Sequence, residues 1–258
     1  MYILAVETTG PHGSVAVIDE KGHVEERSSC AQMSHLKELI PMTEALLSDM
    51  HIDKKEITAI GASIGPGSFT GIRIGVATAR ALAQALCIPA VSVPTLDSFK
   101  VMCSGETLVV PILNARRGQV YGGVFDEKGA DILKSGPYML TDVFASLNDV
   151  FSRSESHETE VMFFGDGVDA YSAEIKAFTE ETGRLYPGVK LSCAEEDMRY
   201  QRAQMTARIA LQKYNAGETV SYEKLLPDYM RATEAETKLK DGSLARERAA
   251  KMARFRAR

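Results

Sequence analysis

The feature that most constrains the fold is a hairpin-led pattern of elements that occurs twice along the chain. Strands predicted at 2–9 and 13–19 are joined by a Gly-Pro-His turn, and strands predicted at 107–115 and 119–126 are joined by an Arg-Arg-Gly turn. Alternating helices and strands follow each hairpin. Mixed sheets covered by helices are the expected product, so the sequence predicts an α/β protein with two duplicated lobes facing a cleft.

The expected domain boundaries follow from this repeat and from the composition of the chain end. We expect an N-terminal lobe at 1–103, a C-terminal lobe at 104–231 and a basic tail at 232–258. Between residues 243 and 258 there are six basic residues and one acidic residue. Clustered arginines contact phosphates without sequence preference, so the tail is interpreted either as a nucleic-acid-binding segment or as a frayed, solvated terminal helix.

Composition excludes several broad classes of protein. The net charge of −5 is not that of a general nucleic-acid binder. The four cysteines are far apart and include no CxxC pair, which argues against a zinc site and against a secreted disulfide framework. The first residues do not have the pattern of a signal peptide, and no run approaches the roughly 18 apolar residues of a membrane span. We therefore expect a soluble, cytoplasmic protein without a membrane partner.

The segment GPGSFTGIRIG, at 65–75, lies between a predicted strand and a predicted helix. A Walker A loop requires a lysine after its last glycine, but Ile72 follows Gly71. A dinucleotide fingerprint requires a glycine where this chain has Thr70. The segment meets neither signature, which leaves two alternatives: an anion site at a helix N-terminus, or a structural turn.

Two predicted helices carry the candidate interface. The helix at about 71–87 has small residues four positions apart, so one of its faces has almost no side-chain bulk. The helix at 33–50 has apolar residues at helical spacing. The bare face either packs inside its own lobe or forms a subunit interface, and the interface is the prediction adopted. The expected interface residues are Leu36, Leu39, Ile40, Thr43, Leu47, Gly71, Gly75, Ala79 and Ala83.

Over residues 1–231 the chain resembles the TsaB (YeaZ-type) family. The most specific match is GPGSFTGIRIG, supported by ILAVETT, ILNARRGQVY, FFGDG and LLPDYMRATEAE. The resemblance implies the actin-like, sugar-kinase-like ATPase (ASKHA) fold, in agreement with the two hairpin-led lobes. It also implies a non-catalytic scaffold subunit required for threonylcarbamoyladenosine modification of tRNA next to the anticodon.

The resemblance further implies a set of partners. The chain would bind and activate a TsaD-type threonylcarbamoyltransferase, with a TsaE-type ATPase as the third component. It would reach tRNA through this complex and form a homodimer when alone.

Catalytic relatives of the TsaD type carry an Asn-His-Leu-Glu-Gly-His segment whose two histidines bind metal. The corresponding segment here is 94–99, in which Thr95 and Phe99 stand where the histidines would be. Neither a hydroxyl nor a phenyl ring replaces imidazole as a ligand. We therefore expect no catalytic residue and no metal site in this chain.

The nucleotide loops of the implied fold suggest candidate binding residues. Glu7 ends the first strand where the superfamily usually has Asp, and its longer side chain argues against nucleotide chemistry. Arg116 and Arg117 are interpreted either as anion or partner contacts or as solvated turn residues, and the Gly-Asp-Gly at 165–167 either as a nucleotide loop or as a turn. We expect no cofactor, but leave open ATP or ADP binding and, with it, an alternative function as an actin-fold ATPase or kinase. The candidates are Glu7, Thr8, Arg116, Gly165, Asp166 and Gly167.

Overall fold

Two five-stranded sheets organise the computed structural model, which describes residues 1–29, 35–103, 105, 107–153 and 159–230. Both sheets lie in one compact unit, Met1–Asp228. The chain end, Tyr229–Arg258, forms a separate unit. The basic tail predicted at 232–258 lies outside the described residues. Within the described ranges no helix is long and apolar enough to cross a membrane.

The first sheet has the strand order β3-β2-β1-β4-β5. The β1, β2 and β3 strands form an antiparallel meander, whereas β4 and β5 run parallel to β1. Four of these strands are buried for most of their length, and β3 is the exposed edge. The strands are β1 (Tyr2–Glu7), β2 (Ser14–Asp19), β3 (Val24–Ser28), β4 (Ile57–Ser63) and β5 (Ala90–Val93).

The second sheet repeats this arrangement in the order β10-β9-β6-β7-β8. Its hairpin and third strand are antiparallel, and β9 and β10 run parallel to β6. The repeated topology confirms the predicted fold class, a duplicated, hairpin-led α/β architecture of the actin-like type. The strands are β6 (Thr107–Asn114), β7 (Gln119–Phe125), β8 (Asp131–Met139), β9 (Thr159–Phe164) and β10 (Val189–Cys193).

Helices cover the two sheets. The first two helices pack on the first sheet, and the third and fifth pack on the second sheet, where the rings of Phe144 and Phe178 stack at 4.1 Å. The predicted helix at 33–50 is observed as α1, and the helix at 71–87 as α2. The seven helices within the described residues are α1 (His35–Asp49), α2 (Phe69–Leu86), α3 (Leu140–Arg153), α4 (Gly167–Ala170), α5 (Ser172–Leu185), α6 (Glu196–Arg199) and α7 (Ala203–Asn215).

Helix α7 packs on the first sheet, although it comes late in the chain. Its Ala207 and Ala210 share a core with Ile3 and Ala5 of β1, and the N–H of Ala203 donates a hydrogen bond to Ser14 Oγ at 2.8 Å. Because side chains alternate between the faces of a strand, α2 lies on the opposite face of the sheet, next to Val6. A segment of the range expected for the C-terminal lobe therefore completes the core of the first sheet. The lobe boundaries at 103/104 and 231/232 stay predictions.

Candidate functional site

The GPG turn is held between two distant parts of the chain. Gly65 and Gly67 have φ values of 117° and 151°, a region that glycine adopts without strain. A Cβ on Gly67 would lie 2.6 Å from the carbonyl oxygen of Thr9, and one on Gly65 would lie 2.0 Å from that of Asp228. Both positions therefore require glycine, since a backbone carbonyl oxygen lies where a side chain would begin.

The bare face of α2 packs inside its own chain, which corrects the interface prediction for its four residues. Thr8 Oγ1 donates a hydrogen bond to the carbonyl oxygen of Gly71 at 2.7 Å. A Cβ on Gly75 would lie 2.3 Å from Thr8 Oγ1. Ala79 and Ala83 are fully buried. The small residues allow α2 to approach the end of β1 closely, so they are not available to a second protein.

The interface residues predicted in α1 divide between the core and the surface. Leu39 and Thr43 are buried, and Thr43 Oγ1 donates to the carbonyl oxygen of Leu39 at 2.9 Å, so both belong to the core and not to an interface. Leu47 is half-buried. Ile40 is 42% exposed, as an interface residue should be. The side chain of Leu36 lies outside the described residues.

A different set of side chains faces outward from α1 and α2, which touch each other. On α2 the exposed positions follow helical spacing and are mostly small, whereas on α1 they surround Ile40. We call this surface the outward helix face. It consists of Lys37, Ile40, Pro41, Glu44 and Ser48 on α1, and of Thr70, Arg73, Ala77, Ala81, Gln84 and Ala85 on α2.

Glu7 is enclosed at the end of β1 and does not reach the cleft. Its Oε1 accepts hydrogen bonds from the Thr9 N–H at 2.5 Å and from Thr9 Oγ1 at 2.6 Å. Thr206 Oγ1, on α7, lies 3.5 Å from its Oε2. Burial raises the pKa of the Glu7 carboxyl, and hydrogen bonds from Thr9, Ser63 and Thr206 oppose this shift in part. A carboxylate that these groups surround is not positioned to act on a ligand.

Thr95 and Phe99, where the catalytic relatives are expected to carry metal-binding histidines, are both fully buried. Thr95 Oγ1 lies 2.8 Å from Ser63 Oγ. The Phe99 ring packs against Phe164 of the second sheet at a centroid distance of 5.8 Å. Both positions are therefore occupied by side chains that serve the packing of the protein. Among the described residues, no group of three or more His, Cys, Asp and Glu side chains is arranged to hold a metal ion.

A cavity of about 560 Å³, here called the cleft cavity, lies beside the N-terminus of α2 and the turn after β6. Six residues were predicted as candidates for nucleotide binding. Of these, Arg116 and Asp166 line the cleft cavity, whereas Glu7, Thr8, Gly165 and Gly167 do not. It is lined by Thr9, Gly10, Pro11, Gly67, Ser68, Phe69, Thr70, Leu113, Asn114, Ala115, Arg116, Tyr121, Asp166 and Gln201.

Hydrogen bonds fix the turn that carries Arg116. The Asn114 N–H donates to Asp166 Oδ1 at 2.9 Å, and the Arg116 N–H donates to Asn114 Oδ1 at 2.8 Å. Burial raises the pKa of the Asp166 carboxyl, although the Asn114 N–H lowers it in part. Arg116 and Arg117 both have positive φ, at 66° and 56°, a region that residues other than glycine seldom adopt, so the turn is strained. Only Arg116 of the two lines the cleft cavity.

The glycines of the predicted third loop are structural. A Cβ on Gly165 would lie 2.2 Å from the carbonyl oxygen of Ile112, and one on Gly167 would lie 2.7 Å from the same atom. The absence of side chains at these two positions allows the turn after β9 to approach β6 closely. Gln201 was not predicted from the sequence, since no motif or spacing marks a lone glutamine between α6 and α7.

Comparisons with known proteins agree with this fold. Residues 28–239 match the family model described as TsaD: tRNA N6-adenosine threonylcarbamoyltransferase. A protein of Escherichia coli named tRNA threonylcarbamoyladenosine biosynthesis protein TsaB is 30% identical over 245 residues, which cover 93% of this chain and 98% of that protein. The Bacillus subtilis protein of the same name is 28% identical over 241 residues, covering 92% and 97%.

The solved structure of YeaZ from Pseudomonas aeruginosa shares the fold, with a TM-score of 0.64 at 23% identity, and the match covers 88% of this chain and 99% of that one. The family model spans most of the chain, and the TsaB relatives align over nearly their whole length. The chain therefore belongs to the TsaB (YeaZ-type) family, whose named relatives are tRNA threonylcarbamoyladenosine biosynthesis proteins.

Proposed function

We propose that this chain is a non-catalytic scaffold subunit in the synthesis of threonylcarbamoyladenosine next to the anticodon of tRNA. It binds and activates a TsaD-type threonylcarbamoyltransferase in the cytoplasm, works with a TsaE-type ATPase and reaches tRNA through the complex. The observation that carries this proposal is the burial of Thr95 and Phe99 at the two positions where catalytic relatives place metal-binding histidines.

The surroundings of these residues support a role without metal chemistry. Phe99 packs against a second aromatic ring, and Thr95 Oγ1 is hydrogen-bonded to Ser63. An imidazole in either place would enter a closed core, away from solvent. The enclosed Glu7 carboxylate likewise argues against the alternative function, an ATPase or kinase with its own nucleotide chemistry.

The outward helix face is the proposed docking surface for the TsaD-type subunit, and it replaces the buried residues named from the sequence. Its alanines at 77 and 81 let another helix approach α2 closely, because ridges of a partner helix fit where side chains are small. Ile40 adds an exposed apolar side chain beside them. Docking would stabilise the working conformation of the transferase by a population shift, and the same face would pair two copies of the chain when it is alone.

The test is a double substitution on the outward helix face, Ala77→Arg with Ala81→Arg. Two long charged side chains in a close helix contact should weaken binding to the TsaD-type protein of the same organism by about tenfold or more. The matched control is Ala173→Arg with Ala177→Arg, which has the same spacing on the exposed side of α5. Co-purification and calorimetry with the partner measure binding, and formation of threonylcarbamoyladenosine by the reconstituted proteins measures function.

Two results would contradict this proposal. Equal binding by the α2 variant and the α5 control would show that docking does not use the outward helix face. Hydrolysis of Mg-ATP by the purified chain, with no partner present, would favour the ATPase or kinase alternative instead.

A further inference from the structure

Glu7 is an ionisable core residue that the proposed scaffold role does not use. Of all Asp, Glu, Lys, Arg and His residues that the structure describes, only Glu7 is buried, and its exposed fraction is 0%. The groups that hydrogen-bond to its carboxyl, from Thr9, Ser63 and Thr206, are all neutral. A carboxyl without a counter-charge in a dry site favours its protonated form, because the charged form has lost its water.

The two carboxyl oxygens of Glu7 have different surroundings. Oε1 accepts two hydrogen bonds from Thr9, from its N–H at 2.5 Å and from its Oγ1 at 2.6 Å. Oε2 lies 3.5 Å from Thr206 Oγ1, on α7. An oxygen that accepts twice is suited to be the carbonyl oxygen of a carboxylic acid, and a hydroxyl such as that of Thr206 can accept the acid's proton in a hydrogen bond. The arrangement therefore fits a neutral acid with its O–H on the side of α7.

Glu7 lies beneath α7, on one face of the first sheet. Side chains alternate along a strand, so Glu7 is on the same face of β1 as Ile3 and Ala5, which share a core with α7. The neighbouring strands β4 and β5 contain no charged residue, and β1 contains none besides Glu7. The hydroxyl of Thr95, in front of the 3-10 helix Leu96–Met102, lies 3.4 Å from that of Thr9.

The other charged groups on the elements around Glu7 have partners elsewhere. They belong to β2, to α7 with its N-cap, and to the 3-10 helix. These pairs are Asp19 with His23, Arg202 with Glu26, Arg208 with the carbonyl oxygen of Gly22, Lys213 with Glu218, and Lys100 with Asp97 and Asp131. Tyr2, Tyr214 and Cys103 lie at the ends of β1, α7 and the 3-10 helix that are farthest from this site.

Helix α7 is the part of the enclosure that can move. Strand β1 lies between β2 and β4 and is fixed by main-chain pairing on both sides. Helix α7 contacts the sheet through side chains such as Ala207 and Ala210, and the N–H of Ala203 donates to Ser14 Oγ. Local separation of such a helix breaks fewer hydrogen bonds than disruption of a central strand, so water reaches Oε2 most readily when α7 moves.

We propose that Glu7 forms a pH-sensitive contact between the first sheet and α7. While the carboxyl keeps its proton, Glu7 is neutral, donates a hydrogen bond to Thr206 Oγ1, and α7 stays packed on the sheet. When the proton passes to solvent, the carboxylate is hydrated and α7 separates from the sheet. The residues after α7 reach the GPG turn, so this opening also affects the surface beside the start of α2. The inference does not depend on the proposed scaffold function.

The sign of the pH dependence follows from proton linkage. Burial raises the pKa of the Glu7 carboxyl while α7 is packed, and hydration in the open form returns this pKa toward its ordinary value. The packed form is therefore fully favoured below the ordinary pKa and loses stability as the pH rises through the raised pKa. Between the two pKa values the equilibrium constant for opening rises by up to about tenfold per pH unit, because opening releases one proton.

Hydrogen exchange of the full chain measures this opening. Exchange is followed by mass spectrometry from about pH 5 to about pH 9, and each rate is corrected for the intrinsic effect of pH on amide exchange. Peptides from α7 should lose protection as the pH rises, by up to about tenfold per unit. Peptides from α5, which packs on the second sheet, are the internal reference and should keep a constant protection.

A substitution and a matched control identify the group responsible. Glu7→Gln keeps the shape of the side chain but has no proton to release, so the protection of α7 should become independent of pH. Glu174→Gln, at an exposed position of α5, should keep the pH dependence of the parent. The infrared difference spectrum between the parent and Glu7→Gln, recorded at about pH 6, should contain the carbonyl band of a protonated carboxyl.

Three results would overturn the proposal. The same pH dependence of α7 in the parent and in Glu7→Gln would show that another group controls the helix. Equal loss of protection in α7 and α5 of the parent would show that the chain opens as a whole. A difference spectrum with carboxylate bands alone would show that Glu7 is ionised while α7 is packed.

Discussion

At the scale of single residues, Glu7 combines full burial with ionisable chemistry. Its oxygens accept hydrogen bonds from Thr9 and approach Thr206, yet burial is the largest influence and raises its pKa. A carboxyl with a higher pKa in the folded state than in the unfolded state binds protons more tightly when folded. The stability that Glu7 contributes is therefore fully present below the pKa of the carboxyl in the unfolded state. It is lost as the pH rises through the pKa of the carboxyl in the folded state.

Glu7→Gln should stabilise the protein at neutral pH. The amide carries no charge to desolvate, and the hydroxyls around it can accept as well as donate hydrogen bonds. We expect the melting temperature to rise by a few degrees at neutral pH, because about 1 kcal/mol corresponds to roughly 2–4 °C for a chain of this size. The gain should shrink as the pH falls toward the unfolded pKa of glutamate. Melting curves across this pH range measure it.

The matched control for this prediction is Glu174→Gln, a substitution at an exposed position of α5. It should leave both the melting temperature and its pH dependence nearly unchanged. A Glu7→Gln protein that is less stable than the parent at neutral pH would show that the hydrogen bonds to the carboxylate outweigh its burial.

At the scale of elements, the contact between α2 and the end of β1 explains the small residues of GPGSFTGIRIG. Gly71 and Gly75 lie against Thr8, whose hydroxyl donates to the carbonyl oxygen of Gly71. The same segment thus contains the GPG turn, which packs against the backbone of Thr9 and Asp228, and the start of α2, whose N-cap is Ser68. Of the two interpretations of the bare face, packing inside the chain is the one observed.

Gly75→Ala should destabilise the protein by about 1–3 kcal/mol, because its methyl group would overlap Thr8 Oγ1 in a packed region. Gly183→Ala, in α5, is the matched control, since a Cβ there meets nothing within 4 Å and alanine favours a helix by about 0.5–1 kcal/mol. Denaturant unfolding measures both changes.

The cause of the Gly75 effect is tested by a second substitution. In a Thr8→Ala background the nearest remaining atom of residue 8 is 3.6 Å from the added methyl group, an ordinary contact. Gly75→Ala should therefore cost much less in that background, and the double-mutant cycle should show a favourable coupling between the two sites. Additive effects would contradict the assigned overlap.

At the scale of the whole molecule, helix α7 and the residues after it, up to Asp228, pack against the first part of the chain. It fills one face of the first sheet with Ala207 and Ala210, and the residues beyond it reach the GPG turn, where the Asp228 N–H donates to the carbonyl oxygen of Ile64 at 2.8 Å. Leu225, between these two contacts, is fully buried. The first sheet is therefore complete only when the last described part of the chain is in place.

The fragment 1–103, which is the lobe expected from the sequence, should not fold on its own, because one face of its sheet would be exposed to water. Joining residues 195–228 to this fragment through a flexible linker should restore α7 and, with it, a cooperative melt. Circular dichroism and thermal unfolding of the two proteins make the comparison. A cooperative melt of 1–103 alone would show that the first lobe is independent of α7.

Much of the fold could be predicted from the sequence because its signals are local. Short runs of mostly apolar residues marked the strands of the hairpins, and glycine and proline marked the turns between them. The strands β8 and β10 were missed, since β8 contains Gly136 and Pro137 and both strands are largely exposed, so neither has an apolar run. Within the candidate site, Arg116 and Asp166 were found from loop position, whereas Gln201 carried no signal.

By itself the sequence determined most of the element order, the duplication, the family and the absence of imidazole at Thr95 and Phe99, because residue identity and short-range spacing carry that information. Only the tertiary structure decided which side of α2 is buried, where α7 packs and which side chains line the cleft cavity. The decisive contacts join residues that are distant in sequence, 63 positions apart for Thr8 and Gly71, and 189 for Ser14 and Ala203. A helix with small residues on two sides has no local property that selects one of them, so the choice depends on the surfaces that long-range packing brings together.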